Sequence, residues 1–168
     1  DGNADYCGPG NIFDTPEFRP TDEERKSILS NGGRYSKIII IRCTLKTHQK
    51  ENTTVLAEMI RQANSPEHLY PALGCCEDFK DRAAKTELAK AVAEVLRRPQ
   101  IFPSLIDSLA VQWHLLEVFK KIGQPREVQE MGREILKKTE KDDVIELNWD
   151  IQPLEIRLIQ LAREMAKE

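Results

Sequence analysis

The side chains here that could do chemistry are thiols and imidazoles. Cys75 and Cys76 are adjacent and are followed by Glu77 and Asp78, a sulfur- and oxygen-rich run that a soft metal could use. Zinc needs four ligands, and recurring motifs leave at least two residues between paired cysteines. The missing ligands would have to come from His48 and His68. Neighbouring acids also raise a thiol's pKa, which works against a nucleophile. The reading that fits this pair is packing, as small hydrophobes at a helix start. Cys7-Gly8-Pro9-Gly10 has the outline of a redox motif but lacks the second sulfur that such chemistry needs. His114 stands beside Trp113 and reads as a packed side chain. Asp107 and Glu117 are ten residues apart and make no carboxylate pair on one turn. Glu77, Asp78 and Asp81 are expected to favour a helix N-terminus. No phosphate loop, dinucleotide fingerprint or GxSxG elbow occurs. No catalytic, metal-binding or cofactor-binding residue is therefore assigned, and the expectation is a non-enzymatic protein without a cofactor.

The charge pattern points to surfaces. Lys and Arg number 25 against 28 Asp and Glu, a net charge of −3, which argues against a dedicated nucleic-acid domain. Basic residues gather at Lys120, Lys121, Arg126, Arg133, Lys137, Lys138 and Lys141, interleaved with Glu127, Glu130, Glu134 and Glu140. Arg126, Arg133 and Lys137 follow at spacings of seven and four and so line one face of a helix. Phe13 and Phe18 lie in a stretch too rich in Gly and Pro to have its own core. Interfaces favour aromatic and Arg anchors. The expected partner-binding residues are thus Arg126, Arg133, Lys137, Phe13 and Phe18, with the helical face taking an acidic segment of a protein partner. The alternatives are a helical domain contacting RNA with the basic side of residues 103–138, and an enzyme whose residues converge only in three dimensions. A basic concave groove would favour the first alternative, and a deep pocket with converging polar groups the second.

The four cysteines, Cys7, Cys43, Cys75 and Cys76, show no framework spacing, and reduced intracellular thiols are expected. The longest apolar run is Ile38 to Ile41, far from the roughly 20 residues of a membrane helix, so no membrane partner and a cytoplasmic or nuclear location are expected. The chain begins at Asp1 without a Met and reads as an excised or processed piece. Asn52-Thr53-Thr54 fits the glycosylation tripeptide, with meaning only for a secreted chain.

The elements that must position these residues are helical. A chain of 168 residues, 40% hydrophobic and 32% charged, suits one domain with a sizeable core. Residues 1–20 form an irregular arm, and residues 21–168 one helical domain. Thr21 and Glu24 make a capping box for a helix over 21–30, ended by Asn31-Gly32-Gly33. Residues 34–48 hold the β-branched run Ile38–Ile41. Without a partner strand, the expectation is a buried helix with rows Tyr35, Ile38, Ile41, Leu45 and Ile39, Cys43. A helix over 53–63 buries Val55, Leu56, Met59, Ile60 and Ala63. A short helical turn over 66–73 is interrupted by Pro71, and Gly74 opens a kink. A long helix over 77–97 puts Phe79, Ala83, Leu88, Val92, Val95 and Leu96 inward. The centre is 103–121, where Ile106, Leu109, Trp113, Leu116 and Val111, Leu115, Val118, Ile122 form two apolar rows, so other elements must flank it. Gly123 stops that helix and Pro125 starts the next, an antiparallel hairpin. Residues 145–151 alternate as a short extended segment, and Pro153 begins a last helix with Leu154, Leu158, Leu161 and Met165 inward. The fold class is mainly α: about seven helices as stacked antiparallel hairpins, solenoid-like or bundled.

The stretch Trp113 to Leu136, WHLLEVFKKIGQPREVQEMGREIL, resembles an α-hairpin repeat of the tetratricopeptide or pentatricopeptide kind. An aromatic and leucines on the first helix, a Lys-x-Gly turn and a second amphipathic helix carry the likeness. Val128 and Gly132 depart from the pattern, which has a small residue and an aromatic there. The resemblance implies a helical stack of the sort that docks protein or RNA.

Overall fold

The computed structural model describes residues 19–98, 101–102, 105–139 and 152–167. Within them lie eight helices: α1 (Asp22–Asn31), α2 (Arg34–Cys43), α3 (Gln49–Arg61), α4 (Pro66–Cys76), α5 (Arg82–Leu96), α6 (Leu105–Ile122), α7 (Pro125–Thr139) and α8 (Gln152–Met165). No strand occurs among the described residues, so the chain is mainly α. The arm residues 1–18, with Phe13 and Phe18, and the segment expected to be extended near 145–151 lie outside the described residues.

Local chemistry sets most of the boundaries. At the start of α1 the Thr21 hydroxyl accepts the Glu24 N–H (3.2 Å), and the Thr21 N–H donates to the Glu24 carboxylate (2.8 Å). The Thr21 N–H, and after it the Thr21 hydroxyl donating at 2.9 Å, hold the Glu24 carboxyl below the usual carboxylate range, and the capping bonds satisfy orphan donors of the first turn. Pro66 and Pro125 open α4 and α7, where a missing N–H costs nothing. The residues from Arg34 onward form helix α2 despite their β propensity. Ile38, Ile40 and Ile41 are buried in the core, and tertiary burial outweighs a propensity term of at most about 1 kcal/mol. Tyr35, placed by spacing on the inner row, is 65% exposed, because the buried side of α2 centres on Ile40 and Ile41 instead.

Several boundaries differ from the sequence reading: α2 ends at Cys43 rather than 48, α3 starts at Gln49 rather than 53, and two further differences follow. Helix α4 runs straight through Pro71 and Gly74 to Cys76. An internal Pro removes a hydrogen bond and costs about 3 kcal/mol, but Leu69, Ala72, Leu73, Cys75 and Cys76 are all nearly inaccessible, and their burial more than offsets it. The long helix expected over 77–97 begins only at Arg82. Asp81 is its N-cap, accepting from the Ala84 N–H at 2.9 Å. Glu77 to Asp81 is a connection, so the core side of α5 is set by Ala84 and Leu88, and Ala83 is exposed.

Helix α6 is the centre of the packing, against α4, α5 and α8. Its row Val111, Leu115, Val118, Ile122 is buried throughout, whereas Trp113 on the other row is only partly covered. Helices α6 and α7 are joined by Gly123 and Gln124 alone. A Cβ at Gly123 would lie 2.8 Å from the Phe119 carbonyl oxygen, so only glycine fits this turn. Past it α7 packs chiefly on α8 and sparingly on α6, and α8 packs on both. Helix α3 lies along α5, tied by Arg61 to Glu94 (2.7 Å) and Glu87 (3.0 Å). No helix among the described residues is long and apolar enough to cross a membrane.

Candidate functional site

Cys75 and Cys76 end helix α4 with their side chains fully buried. Burial pushes the Cys75 thiol up to about 11 and the Cys76 thiol well above its ordinary value. The Cys76 Sγ points at the Ala72 carbonyl, 3.5 Å away. These are packed thiols, but they close helix α4 rather than open the next one as the sequence reading expected, because α5 starts only at Arg82. A raised folded-state pKa means the thiol form is the stabilised one. That contribution is complete below about 9, the unfolded value, and is lost as pH rises through about 11 for Cys75. Alkylation of the native chain at pH 8, mapped by mass spectrometry, is therefore expected to leave Cys75 and Cys76 unmodified until denaturant is added. Rapid native labelling of either would show an open, reactive site.

Asn52 of the glycosylation tripeptide is 0% exposed. Its amide donates to the Thr44 hydroxyl (3.0 Å) and the Ile41 carbonyl (3.3 Å), and Thr44 donates to the Ile40 carbonyl (2.7 Å). The Asn52 amide thereby supplies a donor to the Ile41 carbonyl in the last turn of α2, where the Ile40 carbonyl already accepts the Thr44 N–H at 3.0 Å, and this ties the turn into α3. In the folded chain no transferase can reach this asparagine.

His114 packs in edge-to-face contact with Tyr70 (4.9 Å between ring centroids) and Trp113 (4.6 Å). With Glu77, Glu117 and Lys121 it lines a depression of about 330 Å³ between α4 and α6. Lys121 is engaged by Glu77 at 2.8 Å, and no carboxylate hydrogen-bonds the imidazole among the described residues, so nothing there arms a base.

Arg126, Arg133 and Lys137 are all exposed on the outer side of α7. Arg126 is paired with Glu130 at 3.0 Å, and Arg133 reaches Gln129 at 3.5 Å. The face is convex helix surface, and one of its charges is already neutralised within it.

A larger concavity than the His114 depression lies elsewhere. A groove of about 820 Å³ opens between the α2–α3 connection and the α4–α5 connection, with Arg19 and Pro20 on its edge. Arg42 braces the two connections, pairing with Asp78 at 3.1 Å and donating to the Gly74 carbonyl at 3.3 Å. Behind the α2–α3 connection, His48 meets Asp22 at 3.2 Å and the buried Arg25 meets Glu51 at 2.5 Å, which seats α1 against it. Leu45, Cys43 and Pro20 supply apolar wall, and the buried Phe79 ring backs it from beneath. Arg19, Lys46 and Lys80 also line the groove, and no carboxylate among the described residues pairs with them. Among the described residues the groove thus combines apolar surface with three cations that have no carboxylate partner.

Sequence reasoning did not find this site. Its walls come from residues near 20, 42–49 and 78–80, far apart in the chain. One signal was present: Lys46 has Arg42 and Lys50 four residues to either side and no acid three or four away, so no helix pairing could neutralise it. No family model matches the chain, and neither a curated protein nor a solved structure matches it.

Proposed function

We infer that the chain is a non-enzymatic helical docking domain whose groove takes an acidic segment of a protein partner. The observation that carries this reading is the groove's pairing of apolar wall with the unneutralised charges of Arg19, Lys46 and Lys80. Electrostatic complementarity steers and selects such a segment, and apolar anchors hold it. A volume near 820 Å³ holds a few side chains of a peptide rather than a folded surface. The repeat-like stretch Trp113 to Leu136 supports the same class of function. The α7 face with Arg126, Arg133 and Lys137 is the weaker candidate surface, since it is convex and partly self-neutralised.

The same three cations favour a second reading, contact with single-stranded RNA. Such binding relies on aromatic platforms on which bases stack. Among the described lining residues the aromatic rings are Phe79, which is 1% exposed, and His48, which meets Asp22 at 3.2 Å; no open Phe, Tyr or Trp platform supports stacking, and we rank the protein reading first.

The test is a titration of a fluorescein-labelled peptide of alternating Glu and Phe, and of a single-stranded RNA of similar length, into the full chain up to millimolar concentration. The double variant Lys46→Glu, Lys80→Glu is expected to weaken the peptide by about twofold or more, with the melting temperature nearly unchanged. Peptide affinity indifferent to this reversal would overturn the groove reading. RNA bound more tightly than peptide, with a steep salt dependence, would install the second.

A further inference from the structure

The groove has a candidate occupant in the same chain. Residues 1–18 contain Asp1, Asp5, Asp14 and Glu17 and no Lys or Arg. Without those four, the 28 acidic residues of the chain fall to 24 against 25 basic ones, so the chain's acidity is concentrated in this arm. The arm also carries Tyr6, Ile12, Phe13 and Phe18, which are apolar anchors spaced among the acids. It joins the described chain at Arg19 and Pro20, and those two residues line the groove's edge.

We propose that residues 1–18 dock intramolecularly in the groove between the α2–α3 and α4–α5 connections, placing acids beside Arg19, Lys46 and Lys80 and a Phe on the apolar wall, and thereby compete with an external partner. This rests on the groove reading above and names the groove's regulator. Three properties converge on it. The charges are complementary. The arm supplies the anchors that an acidic ligand for this groove needs. Covalent attachment at the groove's rim makes the arm's effective concentration high, on the order of millimolar for a short tether. An arm with an intrinsic Kd of about 100 μM would at that concentration leave about a tenth of the grooves open, and an external ligand would bind about tenfold more weakly than to a free groove.

Two labelled probes test this: a synthetic peptide with the sequence of residues 1–18, and the unrelated Glu/Phe peptide. Each is titrated into three full-length chains. The first is unaltered. The second has its arm disarmed by Asp1→Asn, Asp5→Asn, Asp14→Asn, Glu17→Gln, Phe13→Ala and Phe18→Ala, all within residues 1–18, and its melting temperature is measured beside that of the unaltered chain. The third adds Lys46→Glu and Lys80→Glu to the disarmed chain. Both probes are expected to bind the disarmed chain about tenfold more tightly than the unaltered one, and to lose that gain in the third. Equal affinity for the unaltered and disarmed chains would overturn arm docking, while a loss on charge reversal in the same experiment would leave the groove reading standing. Affinity indifferent to both the arm and the reversal would overturn both.

Discussion

Leu115→Ala is expected to destabilise the domain by about 2–5 kcal/mol, the range for truncating a fully buried Leu whose surroundings relax only partly. Leu115 is 0% exposed in the middle of α6, on the row Val111, Leu115, Val118, Ile122. That row faces a core built from several other helices, so the void it leaves cannot be closed by moving one neighbour. The loss is a large part of the roughly 5–15 kcal/mol that holds a typical domain together. Trp113→Ala is the informative contrast. A buried aromatic costs about 3–5 kcal/mol on truncation, but Trp113 is only partly buried, against α8 where Arg157, Leu161 and Glu164 border it. Its truncation is expected to cost less than that of Leu115 despite removing a larger side chain. Urea midpoints for the two variants check the order. A Trp113 variant less stable than the Leu115 variant would show that the indole row, and not the Leu115 row, is the deeper side of α6.

Gly132→Ala is the second large effect, and its sign is the opposite of what a helix usually shows. Within a helix, alanine is favoured over glycine by about 1 kcal/mol. At Gly132 an added Cβ would lie 2.7 Å from the Ala162 carbonyl oxygen, 2.8 Å from the Ala166 nitrogen and 3.0 Å from the Met165 Cβ. Two of these atoms are backbone of the α8 segment and cannot swing aside, so α7 and α8 must separate. Overpacking of this kind typically costs about 1–3 kcal/mol, which exceeds the propensity gain. Gly74, also inside a helix, is the control. The nearest atom to its added Cβ would be the flexible tip of Arg42 at 3.8 Å, and Gly74→Ala is expected to stabilise by about 0.5–1 kcal/mol. Thermal melts of the pair, read against the parent, should move in opposite directions. A stabilised Gly132→Ala would mean that the α7–α8 contact has room to spare.

How far each part of the molecule was legible follows from the range of the forces involved. The capping box of Thr21 and Glu24, the helix-opening Pro66 and Pro125, and the stop at Gly123 act within one turn of backbone, so they could be read without any knowledge of the fold. The two-row pattern of residues 103–121 likewise required neighbours on two sides, and α6 has them. Periodicity could not say which row lies deeper. Leu115 and Trp113 are both apolar at helical spacing, and only the placement of α8 leaves the indole partly open. Nor could it place Glu77 to Asp81, whose acids suit a helix start equally well at 77 or at 82. Asp81 wins as the cap, while Glu77 and Asp78 are drawn to Lys121 and Arg42 from other helices. The tertiary structure alone made the groove, because it brings residues near 20, 46 and 80 to one opening, and no local rule relates them. The sequence by itself determined that the chain would be helical and where most helices begin. Which loops meet, which charges stay unpaired and how close α7 comes to α8 were decided by packing, since each depends on atoms distant in the chain and adjacent only once it is folded.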